Sequence, residues 1–211
     1  MDIVIRTMRF VVVGLLLILA NQAYGAIVYE VFFDQDDYRA TAGDTVVANL
    51  MLRETVTDGD VNRISPTSGL GSANVEVTWS SETNLLSSQI GLGFIPGTTD
   101  SGLNRLTLRQ IAFPPGVAGA EVSPGAREVS IGTFQFQVPD AVSPVALITP
   151  NDPSLGADFA IAATPTTVLD DFIVFRSSTI TAITAIPEPG SVVFLSCSLG
   201  GILLVSRRRR K

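Results

Sequence analysis

Between Ala26 and Ile186 the apolar residues of this chain recur at every second position, in short bursts, and no long stretch carries a helical spacing. A period of two is what a half-buried strand demands, because successive side chains leave opposite faces. Asn74-Val75-Glu76-Val77-Thr78-Trp79 alternates strictly, which puts Val75, Val77 and Trp79 on one face and makes Trp79 a core residue; Arg105-Leu106-Thr107-Leu108-Arg109 repeats the pattern. From Glu128 to Val138, Val129 and Ile131 keep one phase and Phe134 and Phe136 the other. One change of phase near Gly132-Thr133 predicts a β-bulge. Ile27 to Phe33 is a strand, as is Val46 to Glu54 after the turn Ala42-Gly43-Asp44. Ala160 to Ala163, and Phe172 to Phe175 continuing to Ile183, read as closing strands, with Asp170-Asp171 as a turn before the last of them. Only Asn84 to Ile90 reads as a short helical turn. Strands spaced by roughly ten to twenty residues, with Gly, Pro, Ser and Asp between them, predict an all-β antiparallel sandwich.

Charge and composition narrow the chemistry. Seven of the 14 basic and 18 of the 20 acidic residues lie between Ala26 and Ile186, so that body carries about −11, and every one of its cations is arginine. Such a field repels nucleic acid and anionic lipid headgroups. The chain has no histidine, which excludes Ser-His-Asp and Cys-His catalysis and His-containing zinc sites. Its sole lysine is Lys211, so no phosphate-binding loop with a lysine exists. The only cysteine, Cys197, lies outside the body, which therefore holds no disulfide.

The two ends read as addresses. Arg6 and Arg9 precede the apolar run Phe10 to Ala20, and Ala23-Tyr24-Gly25 supplies the small residues for cleavage between Gly25 and Ala26, so residues 1–25 read as a secretory signal peptide. At the other end, Pro187-Glu188-Pro189 is followed by an uncharged apolar run, residues 190–206, and then by Arg207-Arg208-Arg209-Arg210-Lys211. As a helix that run is roughly 25 Å long, against a hydrocarbon core of about 30 Å, so it reads as a transmembrane helix with its basic end in the cytoplasm. Pro187 and Pro189 keep the segment before it extended and accessible. The tripeptide, the apolar run and the closing basic cluster, residues 187–211, resemble the PEP-CTERM sorting signal of Gram-negative bacteria that make exopolysaccharide. That resemblance implies recognition by an exosortase after export through signal peptidase. It implies a body held at the inner membrane on the periplasmic side, then moved to the cell surface or released.

Residues 26–186 form the remaining domain. Ala42-Gly43-Asp44-Thr45-Val46, Val75-Glu76-Val77-Thr78-Trp79 with Asn84-Leu85-Leu86, and Ile131-Gly132-Thr133-Phe134-Gln135-Phe136 resemble strand motifs of cohesin-like domains. That resemblance implies a nine-stranded jelly roll that makes protein or carbohydrate-associated contacts without catalysis.

Two acidic clusters are the candidate metal residues. Asp34 and Asp36 fall in Asp34-Gln35-Asp36-Asp37, and Asp58, Asp60 and Asn62 take the first, third and fifth positions of an EF-hand-like loop. Arg63 then stands where that loop needs glycine, and Gly69 where it needs a bidentate acid. Calcium is thus a candidate, and no other cofactor is implied. The expected function is a non-catalytic envelope or extracellular-matrix protein of exopolysaccharide or biofilm, with an exopolysaccharide or protein partner. The alternatives are a calcium-dependent adhesion or carbohydrate-binding module and a glycoside hydrolase using paired carboxylates.

Overall fold

The computed structural model describes residues 27–57, 60–153 and 156–184. The signal cleavage site at Gly25 and Ala26, the sorting motif Pro187-Glu188-Pro189, the apolar run and basic cluster after it, and Asp58 lie outside the described residues. The chain forms β1 (Ile27–Phe33), β2 (Asp37–Thr41), β3 (Thr45–Val56), β4 (Leu70–Ala73), β5 (Val75–Trp79), β6 (Asn84–Ile90), β7 (Ile95–Pro96), β8 (Asp100–Gly102) and β9 (Arg105–Leu108). It continues as β10 (Gln110–Ile111), β11 (Ala120–Ser123), β12 (Ala126–Gln137), β13 (Val145–Asn151), β14 (Phe159–Ile161) and β15 (Thr167–Val168). A 3-10 turn (Asp170–Phe172), β16 (Ile173–Phe175) and β17 (Ser178–Ile183) complete it.

One layer is the sheet β11-β12-β3-β1-β16, with β6 pairing the second half of β12. The facing layer is split into two sheets, β15-β14-β4-β10-β7 and β2-β17-β13-β5-β9-β8. Parity decides what lies between the layers. Val46, Ala48, Leu50 and Leu52 of β3 point inward opposite Val31 and Phe33 of β1. Trp79 packs edge-on against Phe136 at 5.9 Å, and Phe159 against Phe175 at 6.1 Å, each pair joining the two layers. The outcome is the β-sandwich expected from the alternation.

The bulge falls at Ile131, where the β12–β3 register passes from Ser130↔Met51 to Gly132↔Leu50. The two layers use the carbonyl it leaves off the ladder. Ile131 O accepts the Gly91 N–H at 2.6 Å and the side-chain amide of the fully buried Gln110 at 2.7 Å. Gly91 is required there, because a Cβ would stand 2.0 Å from Ser130 O.

Two expectations need correction. Residues 84–90 are strand β6, not a helical turn: β12 offers an edge there, Leu85 and Ile90 pack against the core, and Thr83 Oγ1 donates to Gln137 O. The closing segment is not one continuous strand either. β16 pairs with β1 in one layer and β17 with β2 in the other, and Arg176 and Ser177 make the crossing. The first strand crosses in the same manner through Asp34–Asp36, so β2 is a strand the alternation did not show. Asp170 and Asp171 fall in the 3-10 turn, where a turn was expected.

Candidate binding face

The split layer is held at its seam by one side chain. Asn74 interrupts β4 and β5, donates its backbone N–H to Asp158 O (2.9 Å) and its amide to Asp158 Oδ1 (3.0 Å), and accepts the Gln110 N–H on Oδ1 (2.9 Å). The breaks between β4 and β5 and between β9 and β10 are thereby tied to each other and to the residue that leads into β14. Asp158 is buried, and its backbone N–H is received in turn by Asp170 Oδ2 (3.0 Å), with the Phe159 N–H on Asp170 Oδ1 (2.7 Å).

On either side of the seam the outer surface differs in chemistry. Across the β2-β17-β13-β5-β9-β8 sheet paired polar side chains surround two exposed apolar ones of β13, Val145 and Leu147. Arg105 lies between Glu76 (3.6 Å) and Asp100 (3.5 Å), and Asn151 donates to Thr78 Oγ1 (3.1 Å). Asp37 Oδ1 accepts from Thr181 (2.6 Å) and Thr179 (2.8 Å). Hydrogen bonding by Thr181 foremost, and then by Arg39, holds the Asp37 carboxyl below the usual aspartate range.

Across the β15-β14-β4-β10-β7 sheet the register lines up Val168, Ala160, Ser72, Ile111 and Ile95 on one face. Ile111 is 55% exposed and Phe113 just beyond it 75%. The small residues in the middle leave a groove of about 420 Å³, lined by Gly71, Ser72, Ala160, Ala162 and Ala163 with Pro114, Thr164 and Thr166 around them, and by no charged side chain. The segment after Phe113 is drawn close by two glycines: Cβ atoms on Gly69 or Gly116 would stand 2.6 Å from the other's backbone, and Gly116 has φ +88°. A surface of this kind buries apolar side chains, and its only polar side chains are the hydroxyls of Ser72, Thr164 and Thr166.

Among the described residues the acidic candidates from the sequence do not meet. Asp34 accepts the Asn49 N–H (3.0 Å), the Asn49 amide (2.8 Å) and the Tyr38 hydroxyl, so its carboxylate ties β1 to β3. Asp36 lends its backbone carbonyl to the Thr179 N–H (2.9 Å). Asn62 turns its amide inward to Glu54 Oε2 (3.2 Å) and Gly125 O (3.3 Å), whereas Asp60 is exposed. Among the described residues no group of three or more Asp, Glu, Cys or His side chains is placed to hold a metal ion. Of the acidic residues near one another, Glu30 and Glu128 share Arg53, at 3.9 Å and 2.5 Å.

Sequence reasoning passed over Glu54. It follows Val46, Ala48, Leu50 and Leu52 on the inward parity of β3 and is fully buried. Its carboxylate receives the Tyr29 hydroxyl (3.1 Å), the Arg63 N–H (2.8 Å), the Ile64 N–H (3.0 Å) and the Asn62 amide. Burial, and then the Glu54 charge, push the Tyr29 phenol far above its ordinary value, so it stays a donor at every working pH. The parity alone was the available signal: a carboxylate in register with four core residues needs donors around it.

No protein-family model matches the chain, and no curated protein matches it. Among solved structures it is similar to cohesin modules. One is the solution structure of CaCohA2 from Clostridium acetobutylicum, at 13% identity over 76% of this chain and 94% of that one, with a TM-score of 0.46. Another is a type III cohesin module from the cell-surface anchoring scaffoldin ScaE of Ruminococcus flavefaciens, at 9% identity over 75% and 89%, with a TM-score of 0.48. A non-cellulosomal cohesin from the archaeon Archaeoglobus fulgidus matches at 9% identity over 74% and 92%, with a TM-score of 0.42. At such identities and scores the activities of those modules do not transfer to this chain by likeness.

Proposed function

We propose that this chain is an exported, non-catalytic binding module that docks a protein partner on the charge-free groove of the β15-β14-β4-β10-β7 sheet. The observation that carries the reading is the contrast across the seam. One outer surface carries ion pairs and hydrogen-bonded side chains beside Val145 and Leu147, while the other presents Ile111, Phe113 and Val168 around a groove of small residues lined by no charge. Apolar anchors entering such a groove supply affinity, and the body's charge of about −11 steers a partner whose rim is basic.

The terminal sequences set the proposed route. Signal peptidase cuts between Gly25 and Ala26, an exosortase handles the Pro187-Glu188-Pro189 tail, and the module works at the cell surface or in an exopolysaccharide matrix. The domain of 26–186 is then what remains to act.

The test is a photo-crosslinking amino acid placed at position 111 in the exporting host, with the same substitution at Val47, exposed on the opposite layer, as control. A discrete protein adduct at 111 and none at 47 is the expected result. Equal adducts at both positions, or none at 111, overturn the docking face.

A further inference from the structure

A second cavity, of about 210 Å³, opens where β1 begins and is lined by Ile27, Tyr29, Asp60, Arg63, Leu169 and Phe172. Its volume lies below the roughly 300–1,000 Å³ of sites for drug-sized molecules, so it takes a ligand the size of one amino acid or one sugar ring. Its charges stand apart from most of this protein's. Arg39, Arg53, Arg105, Arg127 and Arg176 all hold carboxylates, and Arg109 donates to Thr98 Oγ1 at 3.3 Å. Arg63 is exposed and holds none among the described residues, and Asp60, three residues earlier, holds no cation. The two line one cleft without closing to the 4.0 Å of an ion pair.

A guanidinium and a carboxylate with no ion-pair partner among the described residues, beside an apolar wall, complement a ligand that carries both charges and an apolar group. We propose that this cleft binds a zwitterionic α-amino acid with an apolar side chain. The planar fork of Arg63 receives the α-carboxylate, Asp60 the α-ammonium, and Ile27, Leu169 and the 63%-exposed Phe172 the side chain. A sugar acid offers a carboxylate but no cation for Asp60, which repels it. A residue inside a peptide carries neither charge, and each peptide end carries one.

The cleft is also held in place from behind. The Arg63 backbone is fixed by its N–H on Glu54, and Phe172 donates its N–H to Leu169 O at 2.8 Å in a turn whose Asp170 caps Asp158 and Phe159. The backbones that carry Arg63 and Phe172 are therefore fixed before a ligand arrives, which limits the ordering cost of binding.

Calorimetric titration of the full chain in detergent with L-leucine and L-phenylalanine tests this, with N-acetyl-leucine, leucinamide and glucuronate as comparators. Both free amino acids are expected to saturate one site, and blocking either charge to weaken binding roughly tenfold or more. Arg63→Gln removes the preference for leucine over leucinamide, and Asp60→Asn the preference over N-acetyl-leucine. Both side chains are exposed, so the melting temperature should not move; if one variant does unfold, the other still reports. Absence of saturation by either amino acid, glucuronate binding in their place, or variants that bind leucine as the wild type does would each overturn the proposal.

Discussion

Replacing Glu54 with glutamine is the sharpest probe of how this sandwich is held together at its end. The carboxylate is fully buried, and each oxygen receives two donors: the Tyr29 hydroxyl and Arg63 N–H on Oε1, the Ile64 N–H and Asn62 amide on Oε2. Glutamine keeps one acceptor oxygen and turns an NH₂ group toward two of those donors, whichever way the amide is set. Hydrogen bonds to a charged group contribute about 1.5–3 kcal/mol each, so losing two costs roughly 3–5 kcal/mol. Against a domain stability of about 5–15 kcal/mol that is a large fraction, and it lowers the melting temperature by roughly 10 °C at about 2–4 °C per kcal/mol. Tyr29→Phe removes one donor and leaves the other three in place, so it costs about 1.5–3 kcal/mol, half the loss of the glutamine variant. Urea and thermal denaturation of the two variants beside the wild type measure the difference, and amide exchange at Arg63 and Ile64 locates it. A Glu54→Gln variant within about 1 kcal/mol of wild type, or a Tyr29→Phe variant equally damaged, would refute the account of Glu54 as the keystone of this end.

Three further outcomes are expected. Gly91→Ala should destabilise by about 2 kcal/mol or more, because the new Cβ meets Ser130 O at 2.0 Å and displaces the N–H that satisfies the bulge; denaturant midpoints decide it. Asp37 has its carboxyl held below the ordinary range by Thr181, so it contributes stability above the unfolded pKa and loses it as pH falls through the folded one. The melting-temperature gap between wild type and Asp37→Asn should therefore be widest near neutrality and close below about pH 4. Millimolar calcium should leave the melting temperature unchanged, since Asn62 faces Glu54 and the Asp34 carboxylate already serves Asn49 and Tyr38; a rise of several degrees would show a site formed in spite of this.

The parts of the fold that could be read in the sequence are those where burial writes a local period. Val75 and Val77, the inward row of β3 and the phase break at Ile131 are legible because each residue's face follows from its neighbours'. Residues 84–90 misled because Asn84-Leu85-Leu86-Ser87-Ser88 has neither strict alternation nor β-branched side chains; its pairing with β12 is a tertiary contact that overrides a weak local preference. The crossings at Asp34–Asp36 and at Arg176-Ser177 were equally hidden, as a strand that changes layers shows only an interruption. The groove was the least legible feature. Its row joins Ile95, Ile111, Ser72, Ala160 and Val168 from five strands, and only the register brings them together.

The paired crossings have a mechanical consequence. β1 runs parallel to β16 and β2 parallel to β17, so the opening and closing segments travel side by side, from Ile27 at one pole of the sandwich to Ile183 at the other. A pull applied between the two ends therefore draws along these strands and strains their hydrogen bonds in shear. Bonds loaded that way must give together, whereas a hairpin pulled from its open end unzips one bond at a time. A module tethered by its C-terminal side while its other end is held would for that reason resist extension at its most exposed seam.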